Sequence, residues 1–233
     1  MLLLCLGACS ALLMPGDATL PRQNELLERG DREMRARRFG AAAAAFGEAL
    51  ALAERYQQEM SRQGYSPSPA RVALTLEKLG LAQSEDQRFA DAVASRRRAL
   101  EIRERTNGPE SLYAANLLND LGYDLRRLGR HAEARASLER AASLFGNAGQ
   151  KPREAMAINN LAHVDDAEGR LAEAERGFCR AFMLTEEAIG GTPQPAHAGY
   201  RQFQLHLREC AAAKRKAGKP GEAERLERRF SGT

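Results

Sequence analysis

The groups in this chain that could do chemistry are few, and their spacing suits binding better than reaction. Four histidines, His131, His163, His197 and His206, are scattered, and none belongs to a His-Glu-x-x-His pair. His163 with Asp165 and Asp166 is the one cluster of metal-ligand types. Positions one or two apart on a helix diverge, however, so these side chains do not converge on an ion. The four cysteines, Cys5, Cys9, Cys179 and Cys210, lack the paired spacing of a zinc site. No glycine-rich phosphate loop follows a strand, and no serine or cysteine sits in a nucleophile elbow. The expectation is a protein that is not an enzyme and holds no metal or cofactor. What remain are asparagine amides, which both donate and accept, and arginines, which pair with carboxylates.

Composition limits what can position those groups. At 233 residues and 43% apolar content, the chain can build a sizeable core. With no Trp, 8 Phe and 5 Tyr, that core must rest on Ala and Leu, which suits closely packed helices. The 35 basic and 31 acidic residues leave a net charge of +4. They alternate along helical faces as an ion-paired surface does, and no aromatic platform accompanies them, which argues against nucleic acid.

Helical elements are clearest in Ala157–Phe182. Ile158, Leu161 and Ala162 mark one amphipathic face, Gly169 breaks the pattern, and Leu171, Ala174, Phe178 and Ala181 mark a second. Leu161 and Phe178 are expected to face each other in this hairpin. The pattern recurs. Small residues at Gly30, Gly80, Gly122, Ala162 and Ala211 are each followed 12 residues later by Ala42, Ala92, Ala134, Ala174 and Ala223. Both series step by 50, 42, 40 and 49 residues, so a constant helical hairpin is joined by unequal connectors. Such self-similarity predicts an all-α solenoid of about five helix-turn-helix repeats, near 24–63, 71–106, 110–145, 153–189 and 197–230. All nine prolines fall outside the helix interiors this scheme requires.

The residues Asn159-Asn160-Leu161-Ala162, Gly169-Arg170-Leu171-Ala172-Glu173-Ala174-Glu175 and Arg98-Ala99-Leu100-Glu101-Ile102-Arg103-Glu104, with the Asn107-Gly108-Pro109 turn, resemble the tetratricopeptide repeat (TPR). They are similar in particular to its roughly 42-residue kinesin-light-chain-like branch, and the likeness covers about residues 24–231. Repeat one lacks the turn glycine, repeat two has Arg96 where a buried aromatic is usual, and repeat five has Pro220 in its turn. The resemblance implies a right-handed solenoid whose first helices line a concave groove for an extended peptide. The groove places are the second, fifth, ninth, twelfth and thirteenth of each repeat. By that correspondence repeat three offers Asn116, Asn119, Tyr123, Arg126 and Arg127, and repeat four offers Met156, Asn159, His163, Asp166 and Ala167. Repeat five offers Leu205, Arg208, Ala212, Arg215 and Lys216. Repeats one and two contribute Asn24, Leu27, Asp31, Met34, Arg35, Leu74, Glu77, Leu81, Ser84 and Glu85. Asn119 and Asn159 are the expected grips on a peptide backbone. The cations Arg126, Arg127, Arg208, Arg215 and Lys216 suggest an acidic partner.

The first fourteen residues differ from the rest. They are apolar but shorter than the roughly 20 residues of a membrane-spanning helix. Leu6-Gly7-Ala8-Cys9 resembles a bacterial lipobox, with Cys9 as the lipidated residue and residues 1–8 as the signal-like segment. Residues 9–23 then read as anchor and polar tether. No Lys or Arg precedes Cys9, which a start codon set too far downstream would explain. In an oxidising periplasm Cys179 and Cys210, on consecutive helices, could pair or stay free. The expected function is a lipid-anchored envelope scaffold that binds a protein or peptide partner. A soluble cytosolic regulatory module, or an accessory subunit that holds an envelope enzyme, are the alternatives.

Overall fold

The computed structural model describes residues 19–190 and 199–230, and among them every regular element is an α-helix. In chain order they are α1 (Thr19–Arg35), α2 (Phe39–Arg62), α3 (Ala70–Glu85), α4 (Phe89–Asn107) and α5 (Leu112–Arg127). Then come α6 (His131–Asn147), α7 (Lys151–Ala167), α8 (Leu171–Ile189), α9 (Tyr200–Lys216) and α10 (Pro220–Phe230). Each helix packs on the one before and the one after, and α5 also touches α7, so five hairpins stack as a solenoid. The expected tether is shorter than the sequence suggested, because α1 starts at Thr19 and not Asn24. Pro21 stands in its first turn, where a missing N–H costs nothing. The added turn carries Gln23, fully buried, whose Nε2 donates to Thr75 Oγ1 of α3 at 3.4 Å.

The small residues that set the repeat are the points where the two helices of a hairpin meet. A Cβ placed on Gly122 would stand 2.4 Å from Leu138 Cγ, and one on Gly30 would stand 2.3 Å from the Phe46 ring. In repeat four the vacancy has moved to the opposite helix, where a Cβ on Gly177 would meet Ala162 Cβ at 2.8 Å. The turn that closes each hairpin needs one left-handed residue. Gly129, Gly169 and Gly218 fill it in the last three repeats, whereas Arg37 (φ 56°) and Gln87 (φ 61°) hold it in the first two. Repeat two therefore lacks the turn glycine as well as repeat one. Pro220 is not in the turn of repeat five but opens α10.

Leu161 and Phe178 do not face each other. Leu161 packs back on Leu121, Leu125, Leu138 and Val164, while Phe178 lies forward with Ala162, Phe182 and Phe203. Adjacent positions on a helix differ by about 100°, so Leu161 serves repeat three and Ala162 serves α8. The C-terminal core is aromatic, with Phe182, Phe203 and Phe230 at centroid distances of 5.2–5.6 Å. Cys179 of α8 and Cys210 of α9 form a disulfide there, with Cα atoms 4.7 Å apart. His206 is buried beside it and held by Thr185 Oγ1 at 2.8 Å and by the Gln202 amide at 2.6 Å. Burial depresses its pKa and keeps the ring neutral.

Repeat two departs from this apolar series with a buried charge. Arg96 stands over Gly80, where Phe46, Leu138 and Phe178 stand in their own repeats. Its guanidinium is buried, donates to the Asp120 carbonyl at 2.9 Å, and forms an ion pair with the fully buried Asp124. Ser84 Oγ also donates to Asp124, at 2.6 Å. Removing one partner strands a buried charge, so Arg96→Ala or Asp124→Ala should each cost about 3–5 kcal/mol. The double substitution Arg96→Leu/Asp124→Val installs the side chains found at the same places in later repeats, Leu138 and Val164, both buried. It should cost far less than the sum of the two single changes, as urea denaturation of the four proteins would show.

Candidate functional site

The groove places of the first helices converge on one cleft of about 550 Å³, to which α3, α5, α7 and α9 all contribute. From α3 come Leu81, Ser84 and Glu85, and from α5 come Asn119, Asp120, Tyr123 and Arg127. Met156, Asn159 and Asn160 of α7 and Gln202 and Leu205 of α9 complete the wall, with Phe89 and Arg96 of α4 below. Leu81, Met156 and Leu205 each keep more than 40% of their surface exposed, so three large apolar side chains on three helices face one space. Among the site residues expected from the sequence, Asn119, Tyr123, Arg127 and Asn159 are brought together here.

The two asparagines differ in their bonding. Asn119 Nδ2 donates to Asp120 Oδ1 at 3.3 Å, and Asn119 Oδ1 accepts from Asn160 Nδ2 at 3.1 Å, which ties α5 to α7. Asn159 lines the same cleft, is only 6% exposed, and its side chain makes no hydrogen bond among the described residues. An amide this buried normally has a partner. The buried atom without a partner is Oδ1, an acceptor that an N–H of a ligand would satisfy.

The remaining expected site residues stand outside the cleft, mostly in internal pairs. Arg126 lies over the Tyr123 ring at 5.4 Å with its Nε buried and unpartnered. Burial lowers its pKa, and the neighbouring Arg127 adds to that. Its neighbour Arg127, which does line the cleft, donates to Tyr123 Oη at 2.9 Å and stacks on Phe89 at 4.3 Å. His163 Nε2 meets Glu209 Oε1 at 2.9 Å, and its ring edge packs on Phe178. Asp166 forms an ion pair with Lys216, and Arg215 donates to Glu227 of α10 at 2.5 Å. Arg208 is exposed and has no ion pair among the described residues. The electropositive half expected of the groove is thus partly neutralised by carboxylates of neighbouring helices. Cys9 lies outside the described residues.

Asp120, Asn160, Gln202 and Phe89 escaped the sequence reading. Asp120 and Asn160 did carry a signal, since they follow Asn119 and Asn159 directly and are likewise 40 residues apart. Asp120 has an unusual setting. Its side chain is 48% exposed, yet the cleft walls shed enough water to push its carboxyl pKa up. Arg96 at 3.7 Å and the Asn119 amide act in the opposite direction, and the charge of Glu77 pushes it further up. Behind Asp120 and Arg96 a second hollow of about 100 Å³ is walled by Glu77, Tyr113, Asn116 and Leu117. Among the described residues, no three His, Cys, Asp or Glu side chains are placed to hold a metal ion. None of the described helices is long and apolar enough to cross a membrane.

No curated protein sequence matches this chain. Several solved structures share its fold. It is similar to BtubC (BKLC) from P. vanneervenii, with a TM-score of 0.66 at 17% identity over 92% of this chain and 90% of that one. It is also similar to the kinesin light chain TPR-like repeats from Podosopora anserina, with a TM-score of 0.64 at 17% identity over 90% and 95% of the two chains. The Rap conjugation gene regulator of plasmid pLS20, solved in complex with the Phr* peptide, matches with a TM-score of 0.63 at 19% identity. That match covers 96% of this chain but 56% of the regulator. The model of the tetratricopeptide repeat family matches residues 71–147 and 114–187, which together span half the chain. The hairpins, their small-residue contacts and this match lead to one conclusion: the chain belongs to the tetratricopeptide repeat family.

Proposed function

We propose that this chain is a non-enzymatic interaction module that holds an extended segment of a protein partner in the cleft between α3 and α9. The observation that carries this reading is Asn159, a buried amide without a partner in a cleft that also exposes Leu81, Met156 and Leu205. A backbone N–H or C=O of the segment would satisfy the amide whatever the residue, and the apolar side chains would take up what lies beside it. The Rap regulator, whose fold is similar, was solved with a peptide bound, which supports the reading. The preference for an acidic partner now rests on Arg127 and Arg208, the two expected site cations without a carboxylate partner of their own that still face solvent.

For location we propose a periplasm-facing module of a bacterial envelope, anchored by lipid at Cys9. The disulfide between Cys179 and Cys210 supports an oxidising compartment, where such bonds persist. Cys9→Ser should move the protein from the membrane to the soluble fraction; a variant that still sediments with membranes would sink the anchor. For the cleft, a photo-crosslinking residue at Met156 would identify the partner in living cells, and its contacting segment could then be titrated as a synthetic peptide. Asn119→Ala/Asn159→Ala should weaken that peptide by about 1–3 kcal/mol for each lost amide contact. Asn159→Ala should melt like the parent protein, since its side chain has no internal bond to lose. Unchanged affinity in the double variant, at unchanged stability, would move the binding site elsewhere.

A further inference from the structure

Three carboxylates, Glu77, Glu85 and Asp120, line the cleft and the hollow behind it, and they are unequally compensated. Glu77 accepts from Arg103 Nε at 2.6 Å and is internally paired. Asp120 shares its cation. Arg96 is held mainly by the fully buried Asp124 and reaches the Asp120 carboxylate at 3.7 Å. Beyond that shared charge, Asp120 Oδ1 accepts from the Asn119 amide. Glu85 is exposed and has no ion pair among the described residues. Around Asp120 three carboxylates, Asp120, Asp124 and Glu77, meet two guanidiniums, Arg96 and Arg103, so one negative charge is only partly compensated.

The shape of the hollow fits one kind of ligand. It is about 100 Å³, opens beside Asp120, and is walled by Glu77, Arg96, Asn116, Leu117 and Tyr113, whose ring already carries the Arg103 guanidinium at 4.4 Å. An aliphatic stem can lie along an aromatic and a leucine, while a charged head reaches a carboxylate and an amide oxygen. We propose that Asp120 and this hollow form a pocket for a cationic side chain, Lys or Arg, on the segment bound in the cleft. This rests on the cleft being the binding site, and the unpartnered Asn159 Oδ1 of α7 is the independent sign that a ligand belongs in that cleft. Arg127 does not cancel the field, since it lies seven residues from Asp120 on α5, about 10 Å along the axis. The bound segment is thus read with a cation at Asp120 and any acidic group two turns further along α5, at Arg127.

A random peptide display library panned on the immobilised full chain tests this, with Asp120→Asn panned in parallel. Peptides selected by the parent should be rich in Lys or Arg next to a large apolar residue, and those selected by Asp120→Asn should lose that bias. In a selected peptide, replacing the Lys by norleucine should weaken binding to the parent about tenfold in fluorescence anisotropy, and leave binding to Asp120→Asn nearly unchanged. Asn at position 120 can still accept from Asn119 and Arg96, so the melting temperature should hold. Leu205→Ser serves as a control, since it should weaken both peptides alike and preserve their ratio. Selected peptides without basic bias, or an equal norleucine effect on the parent and Asp120→Asn, would overturn the pocket while leaving the cleft in place. Failure of the parent to select any peptide would overturn the cleft and the pocket together.

Discussion

In the first four hairpins the two helices approach so closely that a glycine stands at the crossing. This contact, Gly30 under Phe46 or Gly122 under Leu138, fixes the pairing of the helices and hence the direction in which the next hairpin leaves. Because the approach is steric and not chemical, the vacancy can be supplied from either side, as Gly177 against Ala162 shows. The groove follows from it. When every first helix meets its partner at the same turn, the same turns of α3, α5, α7 and α9 open on the other side into one space. Solenoid repeats contact only their neighbours, so a constant internal joint is sufficient to place residues from four helices around that space.

The buried polar joint of repeat two lies directly under the cleft. Arg96 fills the volume an apolar side chain fills elsewhere, but it brings a charge that the fold must answer with Asp124 and Ser84. A buried ion pair of this kind adds little net stability compared with apolar packing. Its effect is on the floor of the cleft. Arg96 spends its charge inward, on Asp124, and so leaves Asp120 at the surface with little compensation. A structural substitution in repeat two thus sets the electrostatics of a surface formed by repeat three.

The architecture was legible because it is written in spacing. The 12-residue offset, the five repeats and the proline positions depend on local geometry that the sequence displays directly. The site was legible only in part. Asn119, Asn159, Tyr123 and Arg127 could be placed because they hold fixed positions on a known hairpin. Whether a cation is free depends on the neighbouring hairpin, and the pairs Asp166–Lys216 and Arg215–Glu227 form across helix boundaries that repeat arithmetic does not describe. Leu161 shows the same limit within a helix: its apolar character was plain, but which neighbour it serves turns on about 100° of rotation. The pairing of Cys179 with Cys210 was open for a similar reason, since consecutive helices can bring two side chains near each other without making them meet.

That disulfide also changes what the end of the stack is. A repeat array held only by neighbour contacts frays from its termini, because a terminal hairpin has one interface where an inner one has two. The bond between α8 and α9 closes residues 179–210 into a ring, which in the chain-entropy account is worth roughly 3–4 kcal/mol. Topologically the last hairpin is no longer a free end, and backbone cleavage between Ile189 and Tyr200 would not release it. Of the last hairpin only α10 can then fray freely, and α9, which carries the Gln202 and Leu205 wall of the cleft, is tied to α8 by a covalent bond.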